Sequence, residues 1–533
     1  MEFSFKQRAQ ALREMADRGV DVLVIGGGIT GAGIALDAAA RGFRAALVEK
    51  GDFASGTSSK STKLVHGGLR YLAQLDFALV REAVIERGLL LRNAPFLVQP
   101  LGFVLPIYAD NRKPLGMPVA LPSSFAISVA LRLGLTLYDL LAGSLGIQRH
   151  RHLGVEQALK LIPTLKREGL RDAFIYFDAQ TDDTLLTITV LRTAASKGAH
   201  IANYAELTGF EEEDGKLTHA VIRDALSGEV FRVRAGTIIN ATGVYANRIE
   251  ALAGQESQLH IQAAKGIHLT IPRSALNIGR EAVILPETED GRVLFIIPWG
   301  PCVTIGTTDT IGGDIDHPTA TDDDIAYLLR HVNHYMAVQL TTKDIISAWA
   351  GYRPLISRVQ AGKPTSKLSR THVIQEYPNG LITIAGGKLT TYRRMAQDVM
   401  DVVCKHLGKP VKHVTEHLPL LGSEEWRESA ASLKEIAPQY HLSAETINRL
   451  EKYGSEALKI LDLIAADPAL ATPIVADLPY IWAEVVNACR YQMAIHVEDI
   501  IERRIHLSFE DQQHGANATS QIKDVMAREL KPQ

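Results

Sequence analysis

The sequence predicts a mixed α/β protein with three parts: a Rossmann-like dinucleotide-binding domain, an antiparallel-sheet substrate domain and an all-α C-terminal domain. Three observations predict it. Within residues 20–49 a strand, a glycine turn, a helix and a second strand follow one another. Across residues 200–350, strand-like runs alternate with turn signals such as Asp-Gly and Ser-Gly. Beyond about residue 405 long helical patterns take over, broken near the prolines at 419 and 473.

The first element is the apolar run VDVLVIG, read as a buried parallel strand. GGGITGAG follows, then IALDAAARG with helical spacing, then the strand FRAALVE ending in Glu49. Gly26, Gly28 and Gly31 form G-x-G-x-x-G at the strand–helix junction. Gly26 permits the tight turn, Gly28 a close backbone approach to a pyrophosphate, and Gly31 close helix packing. The pyrophosphate is expected on the helix N-terminus, beside Ile29 and Thr30. Glu49, 18 residues after Gly31, is placed to accept from a ribose. The triplet alone does not separate FAD from NAD. Two later strand-plus-glycine elements favour FAD: Ile239–Gly243 and Ala385–Thr391. The helix that opens after Gly387 suits the N1–C2=O edge of a reduced flavin.

The pattern DFALVREAVIERGLLL (76–91) and the segment 181–199 read as helices, whereas 99–170 looks like an insertion. The longest apolar stretch, Phe125–Leu145, contains Arg132 and Asp139, so it reads as a packed helix with a possible membrane-facing surface rather than a span. The N-terminal segment reads as a short amphipathic helix without a signal core, and a cytoplasmic setting is expected. The 533 residues carry 46% hydrophobic and 22% charged side chains with a net charge of −3. That balance describes a globular enzyme of several structural units and points away from nucleic acid. Three cysteines without a C-x-x-C suit a reducing compartment, and no metal site is expected.

GTSSKSTKLVHGGLRYL (56–72), GTTDT (306–310), GYRPL (351–355) and GGKLTTYRRMA (386–396) resemble, in order, the FAD-dependent glycerol-3-phosphate dehydrogenases within the D-amino-acid-oxidase-like flavoproteins. HVEDIIERRI (496–505) is similar to that family's C-terminal helical domain, and packs on the flavin domain or mediates self-association as a homodimer. The resemblance implies an FAD-dependent oxidoreductase region over 18–400. Its cofactor parts are about 18–99, 170–250 and 350–400, its substrate parts about 100–169 and 251–349, and a helical domain covers 405–533.

It also implies oxidation of sn-glycerol 3-phosphate by hydride transfer from C2 to flavin N5. A membrane quinone is the expected acceptor, with the enzyme peripheral on the inner face of the membrane; O₂ is the alternative. A flavin oxidase for amino or hydroxy acids, or a non-catalytic flavin-binding protein, would show fewer cations or an eroded site. Phosphate calls for arginine forks and other cations. Arg70, Arg353, Arg370 and Lys388 lie in or near the matched motifs, with Tyr71 and Thr391 beside them. His66, flanked by glycines, is the candidate base or a flavin contact, and an Arg353-assisted route is the rival. Cofactor contacts are expected from Gly26, Gly28, Ile29, Thr30, Gly31, Glu49, Lys50, Thr57, Ser58, Ser61, Thr62, Lys63, Leu64, His66, Gly243, Asp309, Gly387, Lys388, Leu389 and Thr390.

Overall fold

The computed structural model describes residues 2–357 and 371–531. Helix α1 (Phe5–Arg18) leads into strand β1 (Val20–Ile25), helix α2 (Ile29–Ala40) and strand β2 (Ala45–Val48). β1 pairs in parallel with β2 on one side and with Val230–Asn240 on the other. Leu381–Ala385 and His200–Ala202 extend this parallel sheet outwards. Its central strands are buried on both faces, which explains their unbroken apolar runs. A hairpin, Ala205–Glu213 with Lys216–Asp224, turns at Asp214-Gly215 and adds to the edge of Val230–Asn240.

The approach of α2 to β1 sets the geometry of this half. A Cβ on Gly31 would lie 1.9 Å from the Gly26 carbonyl oxygen, and Gly26 itself has φ +112°. Neither position admits a side chain.

A second, ten-stranded sheet is mostly antiparallel. It includes the short strand β3 (Leu64–Val65), which leads into helices α3 (Arg70–Ala73) and α4 (Phe77–Asn93), and strand β4 (Gln99–Tyr108). β4 pairs along its length with Leu170–Gln180 and in parallel with Ala282–Leu285. Residues 99–108 therefore lie outside the first sheet, as expected, and form an integral strand of the second. Leu170–Gln180 and Ser347–Ser357 also lie in this sheet, so the cofactor and substrate parts share strands.

Helix α5 (Ser124–Ala142) packs Ile127, Leu131, Leu135, Tyr138 and Ala142 inwards. Its outer face is apolar too: Phe125, Leu133 and Leu140 are 77%, 67% and 70% exposed. The segment Ser124–Leu145 has the length and composition to cross a bilayer, yet its inner face is committed to the protein core.

The C-terminal helices, among them Trp426–Ile436, Ala457–Ala466, Trp482–Tyr491 and Thr519–Glu529, share one continuous core with α2 and Asp183–Ser196. HVEDIIERRI packs on the dinucleotide domain. Within it Asp499–Arg504 is a π-helical turn, from which Arg503 and Arg504 both reach the buried Asp52. His506 and Arg449 similarly reach Asp182.

Burial works to raise the pKa of Asp52, but Arg504 and Arg503 overcome it and hold the carboxyl below its usual range. Burial opposes Asp182 as well, and His506, Lys63 and Arg449 hold it well below that range. Both carboxylates are depressed, so their stabilisation is complete above the unfolded-state value near pH 4 and is lost as pH falls through the folded values. Near-UV circular dichroism, which senses Trp299 at this contact through its bond to Glu510, is expected to hold down to about pH 4 and collapse below it. A collapse already complete at pH 5–6 would contradict it.

Replacing Gly31 with alanine should prevent α2 from seating on β1. Soluble yield and thermal melting of the variant measure this, and a wild-type melting temperature would refute it.

Candidate active site

The glycine turn and the loop after β2 are locked together. Gly27 N donates to Glu49 Oε2 at 2.7 Å, and Gly51 N donates to Glu49 Oε1 at 2.9 Å. Burial raises the Glu49 pKa, against the opposing pull of these two amides. Ala54 N donates to Gly27 O, and Ile29 N, at the start of α2, donates to Ser58 Oγ at 2.9 Å. Glu49 thus occupies its expected strand-end position with one lone pair of each oxygen already used by backbone.

Loop 50–63 has three further supports. Thr57 Oγ1 donates to Tyr352 O, Ser61 N and Oγ donate to Asp183 Oδ2, and Thr62 Oγ1 lies 3.0 Å from His268 Nε2. His268 is buried and stacked on Trp349 at 4.2 Å. Burial, then Arg353 and Lys63, push its pKa well below the ordinary value, so the ring is neutral near pH 7.

One cavity joins the first turn of α2 to the glycine element after Leu381–Ala385. Its walls include Ile29, Thr57, Ser58, Ser61, Thr62, Leu64, His66, Arg70, Tyr71, Asp309, Arg353, Gly387, Lys388, Leu389 and Thr390. His66 N donates to Thr390 Oγ1 at 3.1 Å, joining β3's exit to that element. The next amide, Gly67 N, donates to Tyr138 Oη and to Asp178 Oδ1, and Arg87 pairs with the same carboxylate. Lys388 Nζ sits over the Tyr71 ring, 4.1 Å from its centroid. Arg353 projects from Ser347–Ser357 and is held by Thr307 Oγ1 at 2.7 Å, Thr308 O at 3.0 Å and Asp309 at 3.5 Å. Its guanidinium fills the space where Gly266 has no side chain.

Several expected contacts lie elsewhere. Lys63 does not line the cavity; its left-handed backbone (φ +59°) directs the ammonium to Asp183 at 2.6 Å. Lys50 sits over the Tyr245 ring, outside the cavity wall. Thr391 is buried behind the wall and its hydroxyl donates to Lys388 O. Gly243 opens a 3₁₀ turn beyond Val230–Asn240 and is not in the wall. Gly26, Gly28, Thr30 and Gly31 shape the turn and the start of α2. Arg370 falls outside the described residues.

The cavity wall also holds residues that the sequence reading passed over: Lys60, Arg292 and Asp178. Burial, with Arg503 and Lys63 adding, pushes the Lys60 ammonium down to about 8, against the pull of Glu502. Lys60 and Lys63 stand three residues apart in GTSSKSTKLVHGGLRYL, and only Lys60 belongs to the cavity wall.

These groups fit FAD. Two helical N-termini, at Ile29 and at Leu389, face one cavity, and an anionic diphosphate and the flavin's electron-rich edge are what such termini hold. Cations and apolar side chains alternate between them.

Residues 21–393 match the family described as FAD dependent oxidoreductase, and 413–532 match the C-terminal domain of alpha-glycerophosphate oxidase. The chain is 39% identical over 525 residues to glycerol-3-phosphate dehydrogenase 2 of Mycobacterium tuberculosis, covering 98% of this chain and 86% of that protein. The chain belongs to the FAD-dependent glycerol-3-phosphate dehydrogenase family. FAD is its cofactor. The mitochondrial glycerol-3-phosphate dehydrogenase of Bos taurus is 37% identical, covering 96% of this chain and 70% of that protein. The glycerol-3-phosphate dehydrogenase of Bacillus halodurans, solved with FAD, superposes with a TM-score of 0.79 at 29% identity, over 99% of this chain and 94% of that one. An L-alpha-glycerophosphate oxidase from Mycoplasma pneumoniae shares the fold, with a TM-score of 0.56 at 18% identity.

Glu49→Gln exchanges one acceptor oxygen for a donor facing a backbone N–H. It should weaken FAD binding by about 1–3 kcal/mol, roughly 5- to 150-fold, in a fluorescence titration of the FAD-free protein. Unchanged affinity would remove Glu49 from the cofactor site.

Proposed function

We propose that this enzyme oxidises sn-glycerol 3-phosphate to dihydroxyacetone phosphate and passes the electrons to a membrane quinone. The observation that carries the reading is a single cavity holding His66, Arg70, Arg353 and Lys388 beside the element Gly387–Thr390. The relatives bearing the name glycerol-3-phosphate dehydrogenase support the substrate.

The substrate phosphate carries about two negative charges, and two arginines with a lysine match it in number and geometry. Arg353 is set on a strand and bonded to Thr307 and Thr308, so its fork is oriented before substrate arrives. Tyr71 carries the Lys388 ammonium on its ring. His66 takes the proton of the C2 hydroxyl at a ring nitrogen, its backbone held by Thr390 and, through Gly67, by Asp178 and Tyr138. Arg353 stays protonated throughout and serves to hold the anion rather than act as a base. FAD, when bound, supplies the acceptor for the C2 hydride at N5.

The quinone is supported by α5, whose outer apolar face suits the interfacial layer of a bilayer. The enzyme then sits on the inner face of the cell membrane, where a lipid-soluble acceptor is within reach.

Anaerobic mixing of the FAD-loaded enzyme with glycerol 3-phosphate should bleach the flavin band. A short-chain quinone should restore it faster than O₂ does; the reverse order would make the protein an oxidase, and no bleaching would remove the substrate. Arg353→Ala should raise KM by roughly 10- to 150-fold, as expected for a charge-assisted phosphate contact of about 1.5–3 kcal/mol. Replacing Phe125, Leu133 and Leu140 together by serine should abolish co-sedimentation with lipid vesicles while leaving anaerobic bleaching intact; retained co-sedimentation would exclude α5 as the docking face.

A further inference from the structure

The C-terminal domain touches loop 50–63 directly at two places and supports its end through an intervening helix. At the beginning, Arg503 Nε and Arg504 Nη1 donate to Asp52 Oδ2 at 2.6 and 2.7 Å, and Arg504 Nη2 donates to Oδ1 at 2.9 Å. In the middle, the Lys60 ammonium rests on the Phe509 ring, 4.6 Å from its centroid. At the end, His506 and Arg449 bind Asp182, the N-cap of Asp183–Ser196, and its first residue, Asp183, holds Ser61 and Lys63. Phe509 also accepts from Ser347 Oγ through its carbonyl, at the start of the strand that carries Arg353.

A wall that only sealed an apolar face would not need this chemistry. Buried ion pairs add little net stability over apolar packing, since desolvation offsets their attraction. What they add is one defined arrangement of the groups they join. Here Asp52 belongs to the cofactor loop itself, and Asp182 adjoins Asp183, which holds the end of that loop. Lys60 is the most telling of them: it belongs to the wall of the FAD cavity, yet its ammonium rests on a ring from residue 509, outside that wall.

We infer that residues 503–509 of the C-terminal domain form a positioning element for FAD, and that Phe509 acts by anchoring the Lys60 ammonium and, with it, the part of the loop that lines the cavity. Arg503 and Arg504 hold the start of the same loop through Asp52. None of the three touches the cavity; each acts through a loop residue. The inference rests on FAD as the cofactor and is independent of the electron acceptor.

The test is a double-mutant cycle on FAD affinity, measured on FAD-free full-length protein by flavin fluorescence. Phe509→Leu keeps apolar bulk and removes the ring face; Lys60→Met keeps the stem and removes the charge. Each alone should raise the FAD dissociation constant roughly 3- to 30-fold, the range of a partly desolvated cation–π contact. The double variant should be no weaker than the worse single one. Phe509→Leu with unchanged affinity, or strictly multiplicative effects, would overturn the inference, because a merely structural Phe509 would act independently of Lys60. If the leucine variant does not fold, Phe509→Met runs the same cycle. Arg504→Lys should also weaken FAD binding, and wild-type affinity in a folded Arg504→Lys protein would remove Asp52 from the positioning path.

Discussion

Everything at the active site depends on how closely α2 can approach β1. The missing side chain at Gly31 lets the helix sit against the Gly26 carbonyl. With the helix seated, the glycine turn presents Gly27 N to Glu49, and Glu49 in turn holds Gly51 at the entrance of loop 50–63. Ser58 returns to Ile29 on the same helix. The loop is therefore built outwards from a single backbone contact, and its sidedness is decided before any charged group is placed. Lys60 contributes to the cavity wall, whereas Lys63, itself left-handed at the entry to β3, turns its ammonium to Asp183.

Charge is then distributed in two layers. The cavity wall holds Lys60, Arg70, Arg292, Arg353 and Lys388, a set suited to two anionic ligands at once, a dinucleotide and a phosphate monoester. Behind it, Asp52, Asp182 and Asp183 pair with arginines and a lysine that support the wall. With two exceptions the carboxylates stay out of the wall, and this has a physical reason. A carboxylate in the wall would repel the phosphate, whereas one behind it orients backbone amides and keeps buried cations paired. Asp178 and Asp309 are the boundary cases: each lines the cavity, and each is engaged by an arginine.

The sequence was most legible where structure is local. The run from Val20 to Glu49 announces its strand, turn, helix and strand because each element obeys its own period, and the glycines fall where a side chain would collide. The motif strings brought His66, Arg70, Arg353 and Lys388 forward, and the fold gathers all four in one cavity. What was not legible depends on distant partners. The partner of residues 99–108, Leu170–Gln180, cannot be read from their own sequence. Lys63 looks like a ligand until Asp183 is known to lie beside it. His268 carries no signal in HLTIP, since its role comes from Trp349 stacking and from Thr62, 206 positions away. Arg292 sits alone ahead of an apolar run, and its place in the cavity wall depends on strands remote in sequence.

Helix α5 joins the surface to the chemistry. Its outer face exposes Phe125, Leu133 and Leu140, while its inner face sends Tyr138 to Gly67, the residue after His66. The Tyr138 hydroxyl donates to Asp178, and that carboxylate also receives Arg87 from α4. A Cβ on Gly67 would meet that hydroxyl at 2.4 Å, so hydroxyl and backbone are in direct contact with no slack between them. Any displacement of α5 towards or away from the core must therefore move the peptide that follows His66. The helix best suited to lie on a membrane is also one that fixes the backbone of the proposed base. In the proposed reading, the membrane-facing surface and the support of His66 are thus opposite faces of one helix.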